Sequence, residues 1–256
     1  MKVVILAGGL GTRLAEETDL KPKPMVEIGE RPILWHVMKH FWHHGHREFL
    51  IALGYRGEVV KRYFLDEHTL AGDMTIDIAA GRVEQKPGTR EDWIVHLVDT
   101  GDRTNTGGRI KRLADQLRDG AFFATYGDGV SNVDLGRLLD FHRRHGLLAT
   151  VTAVRPPARF GSLSFDGDLV REFTEKPQTG EGWINGGFFV LEPEILEYID
   201  GDESSLELDA LERLARERQL AAYRHEDFWQ CMDTLRDKRT LERLWAGGSP
   251  PWKLWS

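Results

Sequence analysis

An apolar run at residues 3–7 leads directly into Gly8-Gly9-Leu10-Gly11-Thr12-Arg13. Glycines there permit positive φ and let backbone N–H groups approach a phosphate closely, so the segment predicts a polyphosphate-binding loop. It is neither a P-loop, which ends in Gly-Lys-Ser/Thr, nor a dinucleotide fingerprint, since Leu14 stands where the third glycine would fall. On the glycines alone, a purely structural turn is an equal alternative. Arg13 offers phosphate oxygens a planar fork of donors, and Lys23 offers them a compact charge. Two prolines in Lys21-Pro22-Lys23-Pro24-Met25 exclude a helix interior and present Lys23 from a stiff stretch. A pair of solvated lysines is the competing reading.

Three further groups of residues have types suited to binding phosphates or a metal beside them. A hydrophobic strand at 121–126 delivers Asp128 between Gly127 and Gly129 at its carboxyl end, where open α/β sheets bind ligands. A carboxylate there suits Mg²⁺, which keeps most of its waters and takes one or two protein carboxylates beside substrate phosphates. An Asp-Gly turn is the alternative. Asp233 precedes a helical pattern that Thr234 could cap, so it reads either as a partner for Asp128 or as part of the cap. Lys176 could take a phosphate while Glu175 and Asn185, the latter beside Gly186 and Gly187, offer acceptors and donors to a ligand's hydroxyls; an exposed charge pair beside a turn competes with that reading. In Val98-Asp-Thr-Gly-Asp-Arg-Thr104-Asn-Thr106-Gly107-Gly108-Arg109, the polar atoms could read a base edge, with Arg109 or Thr104 on a pyrimidine carbonyl or a phosphate. Otherwise it is a Gly-rich helix start with Arg109 on its exposed face.

Positioning these residues requires a sheet. Apolar runs alternate with helical patterns: strand 3–7, helix 33–42, strand 49–53, helix 58–64, helix 108–117, strand 121–126, helix 135–145, strand 149–154. The rhythm predicts an α/β fold, Rossmann-like, with a mostly parallel central sheet flanked by helices. Runs 162–165 and 169–173 around Asp166-Gly167 predict a small antiparallel insertion. A strand at 187–191, a helix at 193–199 opened by proline, a helix at 206–218 and a last strand and helix flanking 228–234 complete the pattern. No repeat or linker divides the chain, so residues 1–256 are expected to form one domain.

Bulk properties narrow the classes. A 256-residue chain with 41% hydrophobic residues can bury a full core, and its net charge of -7 argues against a nucleic-acid partner. With Cys231 as the only cysteine, no internal disulfide or cysteine-rich zinc site can form, and a cytoplasmic location is expected. The first apolar run is too short to span a bilayer and lacks a signal-peptide cleavage region, so no membrane partner is expected. His36, His40, His43 and His44 share an amphipathic helix without a matching carboxylate and are assigned no metal. Trp252 and Trp255 are expected to pack on the body or on a neighbouring subunit, and Cys231 to be a buried small residue rather than a nucleophile.

Leu6-Ala-Gly-Gly-Leu-Gly-Thr-Arg13 together with Lys-Pro-Lys-Pro-Met25 resembles the N-terminal signature of the sugar-1-phosphate nucleotidyltransferases. Gly127-Asp128-Gly129 and Trp229-Gln-Cys-Met-Asp233-Thr234 resemble the segments that carry its metal-binding acids. Asp-Thr-Gly-Asp followed by Thr-Gly-Gly-Arg109 is similar to the branch of that family that joins CTP to glucose 1-phosphate. The resemblance runs from Met1 to Trp255, with departures at 62–91 and 201–218, and implies the nucleotide-diphospho-sugar transferase fold. By that resemblance the nucleotide is held by Leu6, Ala7, Gly8, Gly9, Leu10, Gly11, Thr12, Arg13, Lys23, Thr104, Thr106, Gly107, Arg109 and Gly127, mainly within 1–130. Tyr126, Glu175, Lys176, Asn185 and Gly186 take the sugar phosphate, mainly within 131–240, and 241–256 is a tail. Arg13, Lys23 and Asp128 are the implied catalytic residues, with one Mg²⁺ on Asp128 and Asp233. A homo-oligomer is also implied. UTP or dTTP in place of CTP, and a non-catalytic nucleotide-binding subunit, are the alternatives.

Overall fold

The computed structural model describes residues 1–9, 14–18, 21–88, 91–156, 162–166, 169–174 and 182–255. Strand β1 (Val3–Leu6) is followed by a short helix α1 (Ala15–Thr18), a 3-10 turn at Lys23–Met25, the paired strands β2 (Glu27–Ile28) and β3 (Arg31–Pro32), and helix α2 (Ile33–His43). Next come β4 (Glu48–Leu53), α3 (Gly57–Thr69), a hairpin of β5 (Gly72–Asp77) and β6 (Arg82–Pro87), β7 (Ile94–Asp99), α4 (Thr106–Lys111) and α5 (Ala114–Leu117). The middle of the chain forms β8 (Phe122–Tyr126), β9 (Gly129–Ser131), α6 (Leu135–His145), β10 (Ala149–Val154), a second hairpin of β11 (Ser162–Asp166) and β12 (Leu169–Thr174), and β13 (Ile184–Leu191). A 3-10 segment Pro193–Tyr198, a π-helical turn Leu206–Leu211, α7 (Glu212–Arg216), β14 (Leu220–His225), β15 (Trp229–Cys231) and α8 (Leu235–Ala246) complete it.

Seven strands form the central sheet in the order β14-β10-β13-β8-β1-β4-β7. Only β13 runs antiparallel to its neighbours; the other pairings are parallel, so the expected mostly parallel sheet is found. All four residues of β1 are buried and apolar, the pattern of a strand covered on both faces. Alternate side chains point oppositely. Val4, Leu50 and Phe122 meet Ile110, Leu113 and Leu206 on one face, while Val3, Phe49 and Phe123 meet Leu34, Val37 and Phe41 of α2 on the other.

Helix α6 has the bounds expected from sequence because both its ends are written locally. The Asp134 side chain accepts from Arg137 N–H, and Gly146 closes the helix at φ 63°. Elsewhere the segments depart from expectation. The single helix expected at 108–117 is two, because Leu113 N–H bonds three residues back to Ile110 O and turns the buried Leu113 into the core. The 193–199 helix is 3-10, and the 206–218 helix opens as a wide π turn. Hairpin β5–β6 was not among the expected elements; its charged and apolar residues alternate too briefly to stand out. Trp252 and Trp255 are buried against their own chain, Trp252 stacking on Phe228 at 5.6 Å.

His36 and His40 sit fully inside α2's packed face, His40 against Phe41, Phe188 and His44. Burial holds the His36 pKa down to about 4; burial, aided by His44 and His43, holds His40 down to about 3. Unfolding returns each to about 6.5. Below that value the unfolded chain binds more protons, so stability is full above pH 6.5 and drains away on acidification. The loss is roughly 2 kcal/mol per histidine by pH 5. The thermal midpoint is therefore expected to drop steeply from pH 6.5 to 5, and less steeply in His40→Leu; equal slopes in the two proteins contradict this account.

Candidate active site

The ends of β1 and β8 meet the 3-10 turn, the start of α4 and the segment after β15 at the carboxyl edge of the sheet. Gly8 and Gly9 follow β1, Gly127 and Asp128 follow β8, and the stiff 3-10 turn after Pro22 brings in Lys23. Asp233 arrives from far along the chain through an antiparallel pairing of β15 with β9, in which Cys231 lies opposite Gly129. Met232 N–H then bonds to Asp128 O at 2.9 Å, which sets the two acids side by side. Thr234 and Asp237 form a reciprocal capping box on α8. The Asp233 carboxylate takes no part in that cap and turns instead toward Lys23.

The Lys23 ammonium lies between the two acids, 2.5 Å from Asp128 Oδ2 and in direct contact with Asp233 Oδ1. Burial alone would lower the Lys23 pKa, but the charges and hydrogen bonds of Asp128 and Asp233 outweigh it and raise it. Lys23 stays charged. Burial first, then Asp233 and Asp128, push the half-buried Cys231 thiol up to about 12, which removes the thiolate a nucleophile would need. Two carboxylates converging on one cation position, with room for phosphate oxygens, make a donor set that fits a hard divalent metal. Among the described residues, no group of three or more His, Cys, Asp or Glu could hold a metal ion.

These residues line a cleft of about 390 Å³, whose wall also carries Leu6, Ala7, Pro24, Thr104, Asn105, Thr106, Arg109 and Tyr126. Arg109 is 4% exposed, which rules out the exposed-face alternative. Its guanidinium donates to Leu53 O, Gly101 O and Gly8 O at 2.8–2.9 Å and to Thr100 Oγ1 at 2.7 Å, bracing the ends of β1 and β4 together. A Cβ on Gly8 or Gly54 would lie within 2.2 or 2.5 Å of that guanidinium, so both glycines are needed for its seat. Gly107 is pressed against the Ser204–Leu206 backbone, its missing Cβ 2.7 Å from Ser204 O, so it packs α4 rather than opening toward the cleft.

On the opposite wall, Asn185 Nδ2 donates to the Tyr126 hydroxyl at 3.2 Å, and Gly186 O accepts from Trp229 Nε1 at 2.7 Å. The structure thus gathers Leu6 to Gly9, Lys23, Thr104, Thr106, Arg109, Tyr126, Gly127, Asp128 and Asp233 around one cleft, with Asn185 joined through Tyr126. Leu10, Gly11, Thr12, Arg13, Glu175 and Lys176 lie outside the described residues. Sequence reasoning missed Pro24, Asn105 and Glu207. Glu207 reaches the cleft wall through Tyr126 and Thr106, and its one local sign is Ser205, which caps the following turn.

A family model described as nucleotidyl transferase matches residues 2–239. Glucose-1-phosphate cytidylyltransferase from Salmonella typhi is 52% identical over 256 residues, covering all of both chains. Probable glucose-1-phosphate cytidylyltransferase from Bacillus subtilis is 41% identical, again over the whole of both. Among solved structures, HddC from Yersinia pseudotuberculosis is 24% identical and superposes with a TM-score of 0.65 over 95% of this chain and 99% of that one, a likeness of fold. The expected fold class and family are both borne out. The chain belongs to the nucleotidyl transferase family, where full-length glucose-1-phosphate cytidylyltransferases are its relatives.

Proposed function

We propose that this protein transfers the cytidylyl group of CTP to α-D-glucose 1-phosphate, forming CDP-glucose and pyrophosphate. One juxtaposition carries the chemistry: Asp128 and Asp233 converge on a single cation position in a cleft at the sheet's carboxyl edge. The choice of substrates is supported by 52% identity along the whole chain to an enzyme of that name. A phosphate oxygen of glucose 1-phosphate attacks the α-phosphorus of CTP in line, and the bond to the departing pyrophosphate breaks. The attacking group is already an anion, so the chain's task is positioning and charge neutralisation, with no base and no covalent intermediate.

In this proposal the loop from Leu6 to Arg13 carries the triphosphate, and Arg13 and Lys23 offset charge on the departing pyrophosphate. Thr104 and Thr106 lie on the base side with Arg109 and Gly127 shaping the wall and Gly107 packing α4 behind it, while Tyr126, Glu175, Lys176, Asn185 and Gly186 orient the hexose phosphate. Asp128 and Asp233 would hold Mg²⁺, which when bound supplies Lewis-acid charge neutralisation to the phosphates of both substrates. CTP carrying a chiral phosphorothioate at the α-position should give a product inverted at phosphorus. Retention would mean two displacements and a covalent enzyme intermediate.

A cytoplasmic location and a homo-oligomer complete the proposal. Among the described residues no helix is long and apolar enough to cross a membrane, and the lone Cys231 suits a reducing compartment. Hairpin β5–β6 supports assembly with a second copy. Ile76 faces Val83 across the two strands, and they are 55% and 60% exposed. On the other face Asp73 opposes Lys86, Asp77 opposes Arg82 and Glu84 opposes Thr75, a mixed set one charge from neutral that draws no strongly acidic or basic partner. A two-stranded hairpin with a bare apolar face is marginal by itself and gains by burying that face on its own kind. Ile76→Asp is expected to lower the mass seen in sedimentation without changing the far-UV circular dichroism. An unchanged mass removes the hairpin from the interface.

A further inference from the structure

Behind the cleft, one carboxylate joins segments for which the mechanism above has no common anchor. Glu207 stands in the first turn of the π-helical segment Leu206–Leu211, a geometry that recurs at functional sites. Its Oε1 accepts from the Tyr126 hydroxyl, and its Oε2 accepts from Thr106 Oγ1 at 2.6 Å and Ser205 Oγ at 2.8 Å. Having donated to Glu207, the Tyr126 oxygen presents its lone pair to Asn185 Nδ2 at 3.2 Å. Asn185 Oδ1 is meanwhile committed to Gly187 N–H at 2.8 Å, so the amide cannot flip without losing both bonds.

The direction of this chain of bonds is fixed at its far end. A carboxylate only accepts, so the Tyr126 proton must point to Glu207 and the Asn185 amino group must point to Tyr126. Burial, reinforced by the Glu207 charge, holds the Tyr126 phenol far above its usual range and keeps that proton in place. Thr106 Oγ1 also accepts Leu206 N–H at 2.9 Å, so the same carboxylate registers the wall carrying Thr106 against the wall carrying Tyr126.

We propose that Glu207 is a positioning residue for the hexose phosphate, acting through Tyr126 and Asn185 and anchored to the nucleotide wall at Thr106. The proposal rests on the cytidylyl-transfer reading above, in which Tyr126 and Asn185 face the sugar phosphate. Glu207→Gln keeps the shape but replaces one acceptor by a donor and breaks the fixed direction. One misdirected hydrogen bond corresponds to about a tenfold effect. Steady-state kinetics of Glu207→Gln should therefore show KM for glucose 1-phosphate raised about tenfold, with KM for CTP changed less than about twofold.

Because Glu207 acts through Tyr126, the double variant Tyr126→Phe with Glu207→Gln should be no worse than the poorer single variant. Equal rises in both KM values, or additive losses in the double variant, would make Glu207 a structural brace and overturn the proposal. Calorimetric titration of the same proteins with glucose 1-phosphate reads the effect without turnover: weaker sugar-phosphate binding in Glu207→Gln supports it, and unchanged binding overturns it. A wild-type protein that binds glucose 1-phosphate but turns over no triphosphate sinks the transfer reading alone, and the binding comparison still decides the role of Glu207.

Discussion

Replacing Asp128 with Asn is expected to lower kcat for CDP-glucose formation by a factor on the order of 10³ or more while the protein stays folded. Asn has the same shape, and the backbone bond from Met232 N–H to Asp128 O does not involve the side chain. What is lost is one of the two charges that face a common cation. Lys23 remains paired with Asp233, so the thermal midpoint should move by a few degrees at most. Initial rates of pyrophosphate release, measured beside the circular dichroism spectrum of each protein, check both halves of the statement. Near-normal turnover in a folded Asp128→Asn protein removes that carboxylate from the mechanism.

Lys23→Gln separates two roles of one side chain. The ammonium now neutralises Asp128 and Asp233, and in the proposed reaction it also offsets charge on the departing pyrophosphate. Its removal should cut kcat by a factor on the order of 10² or more, because a half-buried charge that meets the developing anion is lost. Divalent-cation binding to the free protein should instead tighten, since the two carboxylates no longer share a resident cation. Titration with Mn²⁺, followed by calorimetry, reads the second effect independently of activity. Weaker Mn²⁺ binding in this variant would mean that Lys23 holds the acids in place rather than competing for them.

Much of the scaffold was legible in the sequence because its signals are local. Val3 to Leu6 announce a doubly covered strand by unbroken apolarity, and α6 is delimited by an acid that caps it and a glycine that ends it. What escaped was set by tertiary packing. The break between α4 and α5 exists because Leu113 turns inward, and the wide turn at Leu206–Leu211 has no periodic signature of its own. Among the site residues, Asp128 could be placed at a strand end from its flanking glycines. That Asp233 stands beside it depends on β15 pairing with β9 across 100 residues of chain, a register no single segment encodes. Arg109 was singled out by type, yet its use as a brace for the carbonyls of Gly8, Leu53, Gly101 and Asp102 depends on Gly8 and Gly54 clearing its seat. Glu207 looked like part of an ordinary helix, and only its position beneath Tyr126 gives it a claim on the cleft.

The most direct test of the central claim is pyrophosphate release by the purified protein with Mg²⁺ and glucose 1-phosphate, comparing CTP, UTP, dTTP, ATP and GTP side by side. The account predicts release with CTP well above the other four, and a product that contains glucose and cytidine in equal amounts. Preference for another triphosphate, or silence with all five, would contradict it.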